Sequence, residues 1–478
     1  MSSELIYIGL GLIIGLGISM QWLAKILRVP GILLLLPAGM IVGPVLGGLV
    51  DPQEIFGDAL FPLVTVGVGI LLLKGGLELR LNNLKPSMSR SVWRLVTVGG
   101  AVVTLAIGTV AALLLFHVPF PLAFLLSALL VVSGPTVVGP ILSFARPKEP
   151  VGTILLWEGI IIDPIGAALA VAAISFITAE NPDPFLDIFL TMVVGVIIGI
   201  VAALCYTYSD RTRNIPKGLG SLIALMLVIV AVTVGELIFS EAGLFAALTM
   251  GFVIANQRLT PFGSIRVLTE TLEPLIIGIL FIMLAAMVDL SAMGQYLLPP
   301  ALALVGVYVL VVRPLVGFLA TRGLGGYSHA QRIFIGALHP RGGIVAAATA
   351  SLFALNLTEV GGVDFPEMVP VVFIVILATV VIYGLGTPVL SRVLKIADPE
   401  PTGIAIYGEQ LWALDLASAL HTAGATVMLL APGSKGLQSV ADSGKIPFES
   451  YTGSLVDLGG MKKFRTMPIC LNRKFSGS

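Results

Sequence analysis

The sequence predicts an all-α polytopic membrane protein with thirteen transmembrane helices and a small α/β fragment at its C-terminus. Of its 478 residues, 57% are hydrophobic and only 11% are charged, and the mean hydropathy is +1.03. A soluble protein of this length could not bury so much apolar surface. The net charge of zero indicates no nucleic-acid partner, and the two cysteines form no metal or disulfide pattern.

Apolar windows of about 20 residues mark the predicted spans along the chain. The first window continues as a full span, so no cleavable signal peptide is expected. The thirteen windows lie at 5–24, 30–50, 58–79, 91–117, 120–145, 151–178, 185–208, 218–239, 242–257, 267–288, 297–321, 329–356 and 366–391.

The loops between these windows alternate in charge. Basic residues such as Lys25, Arg146 and Arg258 fall in alternate loops, whereas the intervening loops carry acids such as Asp51 and Glu241. Because basic loops stay in the cytoplasm, we expect an outside N-terminus and a cytoplasmic C-terminus, with the protein in the plasma (inner) membrane.

The sequence changes character after the last span, which divides the chain into 1–396 and 397–478. Residues 403–408 are typical of a strand and turn, 409–423 of a helix and 425–431 of a second strand. This order predicts the beginning of a Rossmann-like β-α-β unit. The basic end, 461–478, is predicted to be unstructured.

Span six carries two carboxylates, Glu158 and Asp163, inside the segment Trp157–Pro164. An ionised side chain in hydrocarbon is costly, so such residues usually face a cavity and carry function. Five residues separate them by about 140° around a helix, which indicates two different roles. The angle also argues against an intramembrane aspartyl protease. Gly159 shares a face with Asp163.

Two spans contain predicted helix breaks, at 133–136 in span five and at 339–343 in span twelve. Interrupted helices in corresponding positions of two halves are typical of inverted-repeat transporters, where they form an ion site near the midplane. Arg313 in span eleven is a candidate partner for a buried carboxylate, although it could instead snorkel to the surface. A receptor or scaffold would not explain broken helices beside buried charge.

Other polar residues have a structural interpretation as well as a functional one. Lys74 is expected toward the inner end of span three, and Glu270 and Glu273 at a solvated start of span ten. His339 could be a satisfied core histidine.

With these motifs the chain resembles the monovalent cation:proton antiporter superfamily, in particular the NhaP-like sodium/proton exchangers, over residues 5–395. The resemblance rests on Gly-Leu-Glu-Leu at Gly76–Leu79, Glu-x4-Asp in span six, Arg-Pro in span eleven and Arg-Gly-Gly in span twelve. It implies a homodimer with a dimerisation domain and a mobile six-helix core in which helices five and twelve are unwound and cross.

The resemblance also implies roles for individual residues. Asp163 matches the essential carboxylate that binds either the cation or a proton, and Glu158 matches the acid that pairs with a span-eleven arginine, here Arg313. Oxygens from Ser133 and Thr136 would complete the cation site. Arg341 matches the arginine of a Gly-Leu-Arg-Gly motif, with His339-Pro340 in place of the usual residues before it.

Two positions depart from the family pattern. Ile162 stands where an Asn or Asp normally precedes the key aspartate, and Gly134 stands where the helix-five motif has an acid. The predicted cation site therefore has fewer oxygen ligands than its relatives, and Ile162 is a candidate for tuning selectivity between Na⁺ and K⁺.

The C-terminal segment resembles the start of a TrkA-N-like regulatory domain but lacks the later glycines of Gly-x-Gly-x-x-Gly and an acid after the second strand. Nucleotide binding is therefore not expected, and the domain is too short to be complete.

The sequence thus predicts a secondary active antiporter, not an enzyme, that exchanges Na⁺ or K⁺ for H⁺ by alternating access. One carboxylate shared by both ions predicts electroneutral exchange, and no cofactor beyond the transported ions is expected. A tail-gated, channel-like potassium efflux system is the alternative.

Overall fold

The computed structural model describes residues 3–27, 29–45, 48–178, 184–212, 214–216, 218–288, 297–324, 326–341, 343, 348, 367–398, 403–407, 411–425, 427–431, 448–450 and 464–467. The chain forms two compact units, Met1–Ala397 and Asp398–Ser478.

Among the described residues, the regular secondary structure of the first unit is helical apart from one isolated bridge between Pro147 and Ala397. Its helices are α1 (Ser3–Leu27), α2 (Ile32–Met40), α3 (Pro52–Phe56), α4 (Leu60–Glu78), α5 (Pro86–Arg94), α6 (Thr104–Phe116), α7 (Phe120–Leu129), α8 (Pro135–Ala145), α9 (Val151–Thr178), α10 (Pro184–Arg211), α11 (Gly220–Ile238), α12 (Ala242–Asn256), α13 (Gly263–Ala286), α14 (Leu298–Val307), α15 (Arg313–Thr321), α16 (His329–Ile335) and α17 (Met368–Val393). Wider π-helical turns continue α2 through Ile41–Val45, join α5 to α6 through Leu95–Val103, and join α14 to α15 through Tyr308–Val312.

Nine stretches among the described residues are long and apolar enough to cross a membrane. They correspond to the predicted spans one, three, four, six, seven, eight, ten, eleven and thirteen. Shorter apolar helices occupy the windows of spans two, five and nine, and span five is divided between α7 and α8. Span twelve is represented by α16, and most of its second half, from 344 onwards, lies outside the described residues. The chain is therefore a multi-pass membrane protein, as its composition predicts.

Side-chain caps define where several helices begin. The Asp51 carboxylate accepts hydrogen bonds from the amides of Gln53 and Glu54, at 2.9 and 3.1 Å, and thereby starts α3. The Glu236 carboxylate, at the end of α11, accepts from the amides of Glu241 and Gly243 at 3.0 and 3.2 Å. One glutamate therefore joins the end of α11 to the start of α12.

Small residues let α4 and α12 approach closely. A Cβ on Gly251 of α12 would lie 3.0 Å from the Cα of Gly76 in α4, closer than packed atoms tolerate. Close backbone approach through glycine is a common way to pack membrane helices. The contact holds α4 beside α12. Phe252 of α12 in turn packs edge-on against Trp157 of α9, the helix that carries the two acids.

The second unit contains a four-stranded parallel sheet in the order β3-β2-β1-β4, formed by β1 (Gly403–Tyr407), β2 (Val427–Ala431), β3 (Phe448–Ser450) and β4 (Phe464–Met467). The prediction that 461–478 is unstructured is therefore wrong for β4, because this strand pairs with β1. The single described helix of this unit, α18 (Leu411–Thr422), connects β1 to β2. Ile406, Ala417 and Val427 form its small buried core. The loops in which a nucleotide-binding motif would lie are outside the described residues, so the absence of nucleotide binding stays a prediction.

Candidate functional site

The break predicted in span five separates α7 from α8. Gly134 is extended, with φ −69° and ψ 158°, and Pro135 occupies the first turn of α8, where its missing amide is not needed. Ser133 is fully buried, and its hydroxyl has no hydrogen-bond partner among the described residues. The break therefore places one free hydroxyl and the backbone of Gly134 deep inside the bundle.

The Asp163 carboxylate lies directly against this break. A Cβ on Gly134 would be 3.1 and 3.2 Å from the two carboxylate oxygens, and one on Gly343 would be 4.0 Å from Asp163 Oδ1 and 3.6 Å from the Gly134 amide nitrogen. Asp163 thus sits where the interrupted segments of spans five and twelve meet. Only 4% of Asp163 is exposed, and Oδ1 has no hydrogen-bond partner in the described part of the chain.

The remaining predicted ligands of the cation lie around the same junction. A Cβ on Gly159 would be 3.2 Å from the carbonyl oxygen of Ser133, so this glycine lets α9 approach the unwound backbone. Thr136, on the first turn of α8, is buried. The structure therefore brings Asp163, Ser133, Thr136 and Gly159 into one region, as the helix positions require.

Glu158 faces a different part of the bundle and meets Arg313. The guanidinium donates from Nη1 to Glu158 Oε1 at 2.6 Å and from Nη2 to Oε2 at 3.0 Å. Each residue is only 1% exposed, so Arg313 does not snorkel to the surface. A bidentate pair is the strongest geometry available to these groups. The two acids of span six thus have different surroundings: Glu158 is paired with Arg313, whereas Asp163 lies at the helix break. They do not face one site as a protease would require.

His339, which the sequence left ambiguous, joins this ion pair. Its Nδ1 lies 3.4 Å from Glu158 Oε1, the residue is 3% exposed, and Nε2 has no hydrogen-bond partner. Because an imidazole can donate from Nδ1 while neutral, it can contact Glu158 without adding a second positive charge. His339 therefore ties the break of span twelve to span six, a role that its position in the sequence could not reveal.

Arg341 is buried, and the groups around it stabilise its positive charge. Within the described residues, no carboxylate lies at contact distance from it. Its Nη1 donates to Thr104 Oγ1 and to the carbonyl of Leu130, both at 3.4 Å, and its guanidinium carbon lies 4.9 Å from the centre of the Tyr308 ring. Leu130 follows the end of α7, where helix carbonyls lack intrahelical partners. Arg341 thus places a positive charge at the broken end of span five.

Ile162 packs away from the cation junction. It is fully buried, and a Cβ on Gly100 would lie 2.7 Å from its Cδ1. Gly100 belongs to the π-helical turns between α5 and α6. Ile162, which stands in place of the family's Asn or Asp, therefore packs into the space left by the missing side chain of Gly100.

Comparison with known proteins identifies relatives of the first unit. The family described as sodium/hydrogen exchanger, transmembrane, matches residues 11–393. The Na⁺/H⁺ antiporter 1 of Methanocaldococcus jannaschii is 25% identical over 74% of this chain and 84% of its own length. The K⁺/H⁺ antiporter NhaP of Alkalimonas amylolytica is 24% identical over 78% of this chain and 64% of its own length.

A solved structure shares the fold. The structure of the sodium proton antiporter MjNhaP1 from M. jannaschii at pH 8 superposes with a TM-score of 0.68, covering 80% of this chain and all of that one, at 22% identity. At this identity the likeness establishes the fold alone.

Proposed function

The chain belongs to the transmembrane sodium/hydrogen exchanger family, and on that basis we propose that it exchanges a monovalent cation for a proton across a membrane. The observation that carries the proposal is the Asp163 carboxylate, buried at the junction of two interrupted segments with Oδ1 unpartnered. A carboxylate oxygen without a protein partner can bind either a cation or a proton.

The cation would bind to ionised Asp163 with help from the oxygens of the helix-five break. Ser133 contributes an unpartnered hydroxyl, and Thr136 lies on the first turn of α8. Oxygen ligands of this kind suit alkali cations, which bind through hard donors. Protonation of Asp163 removes the negative charge and releases the cation, so the two ions use the same carboxylate in turn.

The charges buried around the site support an electroneutral cycle. Among the described residues, four charged side chains are buried: Glu158, Asp163, Arg313 and Arg341. Their charges cancel when Asp163 is ionised, and either a monovalent cation or a proton bound to Asp163 brings the group to +1. Because both loaded states carry the same charge, the moving part of the protein would carry one cation in one direction and one proton in the other.

The remaining features complete the proposal. The unwound segments would move with a six-helix core between inward- and outward-facing states. We further propose a homodimer in the plasma (inner) membrane, and the alternation of basic and acidic loops supports a cytoplasmic C-terminus. Relatives named for Na⁺ and for K⁺ leave both cations as candidate substrates. Since those relatives are antiporters, the channel-like alternative is not taken further.

The proposal is tested with purified protein in liposomes that enclose a pH-sensitive dye. An outward proton gradient is set, and Na⁺, K⁺ or Li⁺ is added outside while the internal pH is followed. We expect cation-dependent alkalinisation whose rate does not change when a membrane potential is imposed with a gradient of the permeant anion thiocyanate, which avoids K⁺ because K⁺ is itself a candidate substrate. Proton movement without any added cation would overturn antiport, and a rate that follows the imposed potential would overturn electroneutrality.

A further inference from the structure

Three charged side chains form a cluster between spans three and ten, away from the carboxylates described above. The ammonium of Lys74 lies 2.9 Å from Glu78 Oε1, one turn along α4, and 2.9 Å from Glu273 Oε1 on α13. Their side chains are 17, 27 and 23% exposed. We name these three residues the Lys74 cluster.

The partial exposure indicates which medium the Lys74 cluster faces. Lys74 and Glu78 lie in the last turns of one membrane-spanning helix, and Glu273 lies ten residues inside another. Charged groups at such positions are costly in lipid and therefore face protein or water. Each side chain keeps partial exposure while Lys74 is bonded to both glutamates, so the cluster lies where water can reach it. Glu273 is therefore not a freely solvated helix end.

Gly75, the residue after Lys74, lies beside the cation junction. A Cβ on Gly75 would lie 3.2 Å from Ile160 of α9 and 3.8 Å from Pro135 at the start of α8. Pro135 directly follows Gly134, which contacts the Asp163 carboxylate. The stretch of α4 that carries Lys74 thus borders the helix break on the side of Pro135.

The charge of the cluster is unbalanced, because one ammonium is shared by two carboxylates. Its net charge is −1, and the ammonium occupies the position that a free alkali cation would take between two carboxylates on different helices. We propose that the Lys74 cluster lines the aqueous approach to Asp163 and that Lys74 sets the apparent affinity for the transported cation. The proposal rests on the cation exchange proposed above.

The effect follows from Coulomb's law. Loss of the ammonium takes the cluster to −2 and raises the local cation concentration, whereas loss of one carboxylate charge takes it to 0 and lowers that concentration. In an intermediate dielectric, a unit charge on the order of 10 Å from a bound cation changes its affinity about three- to tenfold, which sets the size of effect expected here. The two changes therefore shift KM in opposite directions.

Four proteins in the liposome assay test the proposal: wild type, Lys74→Met, Glu273→Gln and the double variant Lys74→Met/Glu273→Gln. We expect KM for the better of Na⁺ and K⁺ to fall about three- to tenfold in Lys74→Met and to rise by a similar factor in Glu273→Gln. The double variant restores the net charge of −1, so its KM returns to within about twofold of wild type. Lys74→Arg keeps the charge and serves as the conservative control.

The opposite signs separate an electrostatic role from a structural one. If the ion pairs only hold α4 to α13, both single variants lose maximal rate or stability and KM does not move in opposite directions; that result would overturn the proposal. Should Glu273→Gln fail to fold, Glu78→Gln makes the same change of charge on α4. If the wild type shows cation-dependent flux and the variants have the same KM as the wild type, the role of the cluster is rejected but the proposed exchange is not.

Discussion

Glu158 and Asp163 stand on the same helix, five residues apart and almost equally buried, yet their surroundings are opposite. Both oxygens of Glu158 are bonded to Arg313, and His339 contacts one of them. Asp163 has no ionic partner among the described residues, and its Oδ1 accepts no hydrogen bond. One helix therefore carries one satisfied acid and one unsatisfied acid.

The difference separates structure from transport. A buried ion pair that loses one partner leaves an uncompensated charge, so Glu158 and Arg313 must stay together for the fold to be stable. A carboxylate that is left without a partner is costly unless something else neutralises it. In the exchange proposed above, the two transported ions would neutralise Asp163 in turn, and the cost of a bare buried carboxylate would favour having one of them bound when the core moves.

The largest effect is expected for Asp163→Asn, which removes the unpaired acid that we propose as the transport site. The amide binds neither a proton nor a cation by charge, so exchange should fall to the background of empty liposomes while the protein stays folded. Flux in liposomes and thermal unfolding together check this. The exposed acid change Glu54→Gln is the control, and robust cation-dependent flux in Asp163→Asn would end the assignment.

The opposite result is expected for Glu158→Gln, which breaks the satisfied pair. Arg313 is then left buried without its counter-charge, at a cost of about 3–5 kcal/mol. Thermal unfolding in detergent should show a large loss of stability. The double change Glu158→Gln/Arg313→Met removes both charges and should recover much of that loss. Wild-type stability in Glu158→Gln would show that the pair is not structural.

Ile162→Asn tests whether Ile162, which lies between the two acids in the sequence, contributes to stability or to ion selectivity. Since Ile162 packs on Gly100, the amide would enter an apolar contact and cost about 1–3 kcal/mol if it finds no partner. We expect lower thermal stability with the preference between Na⁺ and K⁺ unchanged, whereas Ile162→Val serves as the mild control. A reversed preference would instead assign the position to selectivity.

His339→Leu tests how much the imidazole beside the Glu158–Arg313 pair contributes to stability. Removing the imidazole leaves both bonds from Arg313 to Glu158 in place, so the loss of stability should be about 1 kcal/mol. His339→Asn, whose amide can reach a similar position to Nδ1, should recover part of it. A collapse as large as that of Glu158→Gln would show that the imidazole, and not Arg313, is the main partner of Glu158.

The smallest effect concerns Glu241, in the turn between α11 and α12. Burial raises the pKa of its carboxyl to about 8, with contributions from the nearby charges of Glu236 and Asp163. The group is therefore neutral below pH 8 and becomes negative as the pH rises through 8, which favours a cation on Asp163. Glu241→Gln should raise KM for the cation about twofold at pH 9 and leave it unchanged at pH 6.5. Equal shifts at both pH values would contradict this coupling.

Much of the architecture was predictable because hydropathy and charge patterning are local properties. The windows anticipated the nine long membrane-crossing stretches, and Gly134-Pro135 anticipated the interruption of span five. The helical angle between Glu158 and Asp163 predicted that they serve different partners. Resemblance to a family then supplied Arg313 as the partner of Glu158, which periodicity by itself could not choose.

Other features depended on residues far apart in the chain. Lys74 and Glu273 are separated by 199 positions and are bonded to each other, although the sequence predicted only that Lys74 lies toward the inner end of span three and Glu273 at a solvated start of span ten. His339 gave no signal beyond being a histidine beside a proline. The tight contact of Ile162 with Gly100 likewise depends on how α9 packs against the π-helical turns of span four.

By itself, then, the sequence determined that this chain spans a membrane many times, where its helices break and which face each acid of span six presents. These properties follow from the transfer free energies and spacings of neighbouring residues, which act within one helix. Only the tertiary structure decided which buried charges are neutralised by a partner and which are left for an ion. That outcome depends on the close packing of helices that are distant in sequence, and no local pattern encodes it.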